Sequence, residues 1–170
     1  IRGSYQTGFR NPDTQALFIG FDVGRAILVG SSPDNLDRRL PGTDLTGQDV
    51  YYNSYTRTSV EAFAATEDPT LLEATVTSLV QQEKVTAFDI GYRGKIGPIN
   101  LDANLYYNMY DGFINQKIVI TPENGSTADG SAIADIVNGE YDAFQVYTNA
   151  TEQIQSYGFV VGGNFKFAEN

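Results

Sequence analysis

"NLDANLYYNMY", residues 100–110, alternates without a break. Leu101, Ala103, Leu105, Tyr107 and Met109 fall on one face of an extended chain, and Asn100, Asp102, Asn104, Tyr106, Asn108 and Tyr110 on the other. Successive strand side chains point to opposite sides, so the stretch reads as a β-strand with one apolar and one polar face. The fold turns on what covers the apolar face, a protein core or lipid.

Three further stretches carry the same period. In residues 1–10, Ile1, Gly3, Tyr5, Thr7 and Phe9 oppose Arg2, Ser4, Gln6, Gly8 and Arg10. In 84–96, Phe88, Ile90, Tyr92 and Ile96 oppose Asp89, Gly91, Arg93 and Lys95. In 144–167, Tyr157, Phe159, Val161, Phe165 and Phe167 oppose Ser156, Gly158, Gly162, Asn164 and Lys166. The opening strand extends over 99–120, with a change of phase at Asp111-Gly112, where a β-bulge is expected to re-aim Ile114, Ile118 and Ile120. Gly97-Pro98 predicts a two-residue hairpin turn. Such a turn fixes the register: Ile96 faces Ile99, Tyr92 faces Ala103, Phe88 faces Tyr107 and Arg93 faces Asp102. A slip of one residue would turn every apolar side chain to the wrong side, and the opposite charges of Arg93 and Asp102 help to hold against it.

The connections are lopsided. Against the tight turn at 97–98 stand a long excursion, 11–82, and a loop rich in Gly, Ser and Asp, 122–141. Connections of that length are usually functional. The first holds two helix candidates: Thr58-Ser59-Val60-Glu61 reads as a capping box ahead of 62–65, and Asp68-Pro69 as the start of a helix through 71–79. Tyr51, Tyr52, Tyr55 and Arg57 form an aromatic cluster, either a binding surface or a packed mini-core of the loop. Asp44 to Asp49, and Glu123, Asp129 and Asp135, space their acids without the ligand pattern of a calcium loop. Gly158, Gly162 and Gly163 lie inside a strand pattern and make no phosphate loop. No metal, cofactor or catalytic group is expected, and the chain does not read as an enzyme.

Composition narrows the class. Among 170 residues there are 21 acids and 11 bases, a formal charge of −10, which argues against nucleic acid as a partner. With no Cys and no His, disulfides, Cys/His zinc sites and Cys- or His-based triads are excluded. Seventeen glycines and eleven tyrosines without a tryptophan favour β structure. No apolar run approaches the ~20 residues of a membrane helix. The chain begins at Ile1 rather than Met and reads as a piece cut from something longer.

Residues 99–109 match the length of a tilted membrane strand, about 9–11 residues. Their polar set suits a water-filled lumen, and short turns at one end with long loops at the other suit a transmembrane barrel. Tyr157, Phe159, Phe165 and Phe167 resemble an interfacial aromatic girdle. A soluble secreted β-sandwich, such as a glycan-binding module, gives the same alternation, and a passive porin-type barrel fits the strands as well. A second sheet packed over Leu101, Leu105 and Tyr107 would decide for the sandwich. An uncovered apolar band about 25 Å tall would decide for lipid.

Four blocks carry a resemblance. "SYQTGFRNP" (4–12) resembles the ascending strand and loop entry of TonB-dependent outer-membrane receptors, and "EKVTAFDIGYRGKI" (83–96) resembles their descending strand. "LYYNMYDGFI" (105–114) is similar to their next ascending strand, and "NATEQIQSYGFVVGGNFKF" (149–167) to the Asn…Gly-x-Glu strand after it. The blocks stand in the family's order with long and short connections in place, which the porin alternative does not explain. Gln82 stands where proline is usual, Asp89 where glutamate is commoner, and Val160 where glutamate is frequent.

The resemblance implies an all-β chain: a section of an antiparallel transmembrane β-barrel, about four long strands in a curved open sheet with long extracellular loops. Residues 1–170 would be part of the barrel domain, with 11–82 and 122–141 as extracellular loops. The family's barrels have about 22 strands closed by a plug domain. They sit in the bacterial outer membrane and take up scarce nutrients such as siderophores, cobalamin or glycans. The implied partners are outer-membrane lipid, the plug of the same parent chain, a TonB complex acting through its N-terminal part, and the nutrient. Arg93 and Asp102 would pair on the lumen side. Arg10, Tyr51, Tyr52, Tyr55, Arg57, Tyr106, Asn108 and Tyr110 are the candidates for ligand contact; the lumenal ones alternatively line water or touch the plug.

Overall fold

Along residues 1–165, which the computed structural model describes, ten strands and four α-helices follow one another. The strands are β1 (Arg2–Arg10), β2 (Gly20–Asp22), β3 (Ile27–Val29), β4 (Ser54–Thr56), β5 (Ala74–Thr75), β6 (Glu83–Ile96), β7 (Ile99–Asp111), β8 (Ile114–Pro122), β9 (Tyr141–Asn149) and β10 (Ile154–Phe165). The helices are α1 (Thr14–Phe18), α2 (Gly47–Tyr52), α3 (Arg57–Thr66) and α4 (Ile133–Asn138). Lys166 and Phe167, assigned above to the last strand, lie outside the described residues. The chain divides into two units, one of Ile1–Asn11, Gln82–Phe113 and the chain from Ala150, the other of Pro12–Gln81 and Ile114–Asn149.

The first unit is a four-stranded sheet in the order β1-β6-β7-β10, antiparallel throughout. Its register is the one the turn predicts: Ile96 faces Ile99, Tyr92 faces Ala103, Phe88 faces Tyr107 and Arg93 faces Asp102. Gly97 reaches φ +59°, the left-handed value that a II′-type hairpin needs at its first central residue. Proline follows at no cost, because that position gives no N–H to the ladder. The sheet is open, with β1 and β10 at its edges. Its apolar face is exposed: Tyr5, Ile90, Leu105, Tyr157, Phe159 and Val161 each expose more than half of their surface.

The second unit is folded rather than looped. Its six-stranded sheet runs β2-β3-β9-β8-β4-β5, with β3 parallel to β9 and the other pairs antiparallel. Neighbouring residues of β8 enter different cores. Val119 packs with Val29, Val50, Tyr51, Phe144 and Val146, and Ile120 with Tyr55, Val60, Ala132 and Ile136. Adjacent strand residues point to opposite sides, so this sheet is covered on both faces. Fully burying an aliphatic or Phe side chain stabilises by roughly 1.5–3 kcal/mol, which makes these two clusters the principal source of the unit's stability.

Several expectations are corrected. The strand expected over 99–120 ends at Asp111, and β8 belongs to the other sheet, so Gly112 (φ +63°) marks a change of sheet instead of a bulge. The phase changes because the residues beyond it face new cores. Likewise the described part of the segment expected over 144–167 falls into two strands, β9 and β10, in different sheets. Helix α3 starts earlier than the Thr58 motif suggests: Thr56 is the N-cap, its Oγ1 accepting the Ser59 N–H at 3.3 Å. The helix expected over 71–79 is only a 3₁₀ turn at Pro69–Leu71, capped by Asp68, and gives way to β5. A reciprocal capping box does occur, one turn ahead of the tyrosines, where Asp49 Oδ2 accepts the Thr46 N–H at 2.8 Å.

Candidate functional site

On the even-numbered face of β1 and β7 the side chains are polar and bonded to one another. Arg93 Nε donates to Asp102 Oδ2 at 2.8 Å, and a second guanidinium nitrogen reaches the same oxygen. Asn104 donates to Asp89 Oδ2 at 2.6 Å and accepts a longer bond from Arg2. Tyr106 lies across its partner Gly158, where an added Cβ would stand 2.5 Å from the phenol oxygen. A Cβ at Gly158 would therefore displace the Tyr106 ring, which lies over the space that the glycine leaves. Asn108 faces Ala87 and Ser156 on the same side.

At the β1 end of this face, Arg10 donates to Glu83 at 2.8 Å and stands 6.0 Å from the centre of the Phe113 ring. Phe113 in turn meets Tyr110 edge-on at 6.3 Å. Two of the sequence-selected residues, Arg10 and Tyr110, are thus brought together through Glu83 and Phe113, which the period-two reading passed over. Phe113 lies just beyond the strand and Glu83 at its first residue, where alternation carries little signal.

The opposite face carries an aromatic row across the whole sheet: Tyr5 faces Phe88, Phe88 faces Tyr107, and Tyr107 faces Tyr157. The first two pairs have ring centres 5.1 and 6.5 Å apart. Each such pair is worth about 0.5–1.5 kcal/mol beyond its buried area.

In the second unit the aromatic cluster is split. Tyr51 and Tyr55 are buried, one in each core. The Tyr51 hydroxyl donates to the Tyr147 carbonyl at 3.1 Å, and burial pushes its pKa up to about 12. Burial, with the nearby Asp135, also raises that of Tyr55. Both serve as packing, the mini-core alternative. Tyr52 is partly exposed, and Arg57 pairs with Glu61 at 2.6 Å one helical turn on. The acids singled out by spacing are engaged locally. Asp44 pairs with Arg39, Asp129 accepts from Ser131, and buried Asp135 accepts the N–H groups of Asn124 and Gly125 at 2.7 and 2.8 Å. No group of three or more acids, Cys or His converges among the described residues.

Two grooves open on this unit. One, of about 620 Å³, is lined by Arg38, Arg39, Asp44, Glu123 and Asp142, so its charge is mixed. The other, of about 720 Å³, has Arg25, Arg57, Lys117 and Gln145 among its lining residues and no carboxylate. Lys117 itself donates to Thr75 Oγ1 at 3.2 Å, and its desolvation lowers the ammonium pKa.

An open antiparallel sheet with one bare apolar face and one hydrogen-bonded polar face is the wall of a β-barrel. A family model described as "TonB dependent receptor-like, beta-barrel" matches residues 1–169. The chain belongs to this family, whose members are outer-membrane receptors and transporters. No curated protein and no solved structure matches the chain. None of the helices is long and apolar enough to cross a membrane, which bears only on helical spans.

Proposed function

We propose that this chain forms part of a receptor in the bacterial outer membrane that actively takes up a scarce nutrient of the siderophore, cobalamin or glycan class. In this reading β1, β6, β7 and β10 cross the membrane, with Leu105, Tyr107 and Phe159 toward lipid. Arg93, Asp102 and Asn104 then face the lumen and the plug domain of the same parent chain. The second unit stands on the extracellular side, and a TonB complex supplies energy through the plug-bearing N-terminal part. The observation that carries the reading is the pairing of two unlike faces in one sheet. The aromatic row and its aliphatic neighbours are bare, while the charged side chains behind them are bonded to one another.

A sandwich would need a second sheet on the bare face, and a passive porin does not account for the family membership. Four strands cannot close, since the smallest bacterial barrels have about eight, so the remaining strands are supplied by the parent chain. Arg10, Tyr106, Asn108 and Tyr110 remain the lumenal candidates for ligand contact, with Tyr52 and Arg57 on the second unit.

Spin labels placed singly along β7 of the full-length receptor test the orientation. Labels at Leu101, Leu105 and Tyr107 should be relaxed by lipid-soluble oxygen, and labels at Asp102, Asn104 and Tyr106 by an aqueous nickel reagent. Equal accessibility at all six positions would refute the membrane placement. Nutrient uptake that survives loss of the TonB complex would refute the active mechanism.

A further inference from the structure

The groove beside β8 gathers Arg25, Arg57 and Lys117 with no carboxylate among its lining residues. Its lining combines apolar Ala26, Ile118, Ile120 and Ala143 with Arg25 and Arg57. Strand β4 pairs only with Val119 and Ile120 of β8, so the edge of β8 at 115–118 has no strand partner on that side. The Gln116 N–H donates there to the Asn115 side chain at 2.7 Å. The Gln116 and Gln145 amides bond to each other across the β8–β9 pair. Arg25 has no carboxylate within ion-pairing distance among the described residues. Arg57 spends one guanidinium nitrogen on exposed Glu61, and its other N–H groups remain for a ligand. Lys117 adds positive charge at the edge, although its ammonium is turned to Thr75.

We infer that this groove binds an oxyanion, a carboxylate or phosphate group of a ligand, between Arg25 and Arg57, with the Gln145 and Asn115 amides as further donors. Arginine presents a planar fork of donors that matches such groups two bonds at a time. The apolar part of the lining takes the uncharged remainder of the ligand. This rests on the receptor reading in one respect, that the second unit faces the medium; it adds the chemical class of what is captured there. The competing groove by Arg39 is unsuited, because Asp44, Glu123 and Asp142 share its wall.

The test is calorimetric titration of the purified full-length receptor in detergent, at low salt, with inorganic pyrophosphate and separately with tricarballylate. Saturable binding of at least one probe is expected, weakened about tenfold or more by Arg25→Gln and by Arg57→Gln. Arg39→Gln should leave it unchanged, and Arg57→Lys should retain part of it. Added lipopolysaccharide that displaces the probe would assign the oxyanion to a lipid phosphate at the cell surface. Failure to displace it would assign it to a soluble ligand. Both outcomes support the inferred chemistry. No binding of either probe, or binding by either Gln variant as tight as by the wild-type receptor, overturns it. The titration needs neither membrane potential nor the TonB complex, so its failure leaves the uptake experiment free to stand or fall separately.

Discussion

Arg93 and Asp102 show how little energy a specifying contact needs. Both are substantially exposed, so their attraction is screened and worth at most about 1 kcal/mol. A double-mutant cycle with Arg93→Ala and Asp102→Ala should give a coupling within that bound. A coupling above about 2 kcal/mol would show that the pair is far less solvated than its exposure indicates. This pair was legible because two cues agreed, the turn at Gly97-Pro98 and the strict alternation on either side. Tyr51 was legible only as one of two alternatives, since sequence spacing cannot say whether a tyrosine in a long connection points in or out. Its buried hydroxyl has a second consequence. The folded pKa, about 12, lies above the ordinary value near 10, so the neutral phenol is favoured by folding. The stability it contributes is complete below about pH 10 and is lost as pH rises through about 12. Thermal unfolding of the second unit should therefore fall more steeply over that window in the wild-type receptor than in Tyr51→Phe. Parallel curves would contradict the buried assignment.

At the scale of elements, the long wall strands were readable and the short strands of the second unit were not. Alternation is a signal only where one face is buried or bare and the other polar. In β8, Val119, Ile120, Thr121 and Pro122 are all buried, because both faces of that strand meet a core. Such a stretch reads as a continuous run, and the change at Gly112 looked like a bulge when it is a passage to another sheet. The short strands β2, β3, β4 and β5 span two or three residues each, too few for any period to register. Strand β9 sits centrally in its sheet, between β3 and β8, and its Phe144 is fully buried. Phe144→Ala should cost the second unit about 3–5 kcal/mol. Limited proteolysis of the intact receptor should then cut within 12–81 and 114–149 while the barrel band stays resistant to detergent. Unchanged cleavage would mean that the second unit does not depend on that core.

For the whole molecule, the open edges and the bare face predict behaviour in isolation. Among the described residues, β1 and β10 are the outer strands of the sheet, open to pairing with another chain, and the aromatic row presents apolar surface to water. Residues 1–170 expressed alone should associate in plain buffer, as followed by light scattering, and should disperse in detergent. A monomer that unfolds cooperatively without detergent would be incompatible with a barrel wall.

The chain enters and leaves the second unit twice, at 11–12 and 81–82, then at 113–114 and 149–150. Each visit supplies strands that the other visit's strands require: β3 joins β9, and β4 joins β8. Neither visit can complete a core alone, since Tyr51 needs Phe144 and Tyr55 needs Ile120. For recombination between relatives, the two connections are therefore a single heritable module written in two places. A crossover that replaces one and keeps the other brings together halves selected against different partners. Diversity at this surface is consequently expected to arise by paired exchange, or by substitution along the groove rims, in preference to the loop-by-loop swapping open to barrels whose connections fold separately.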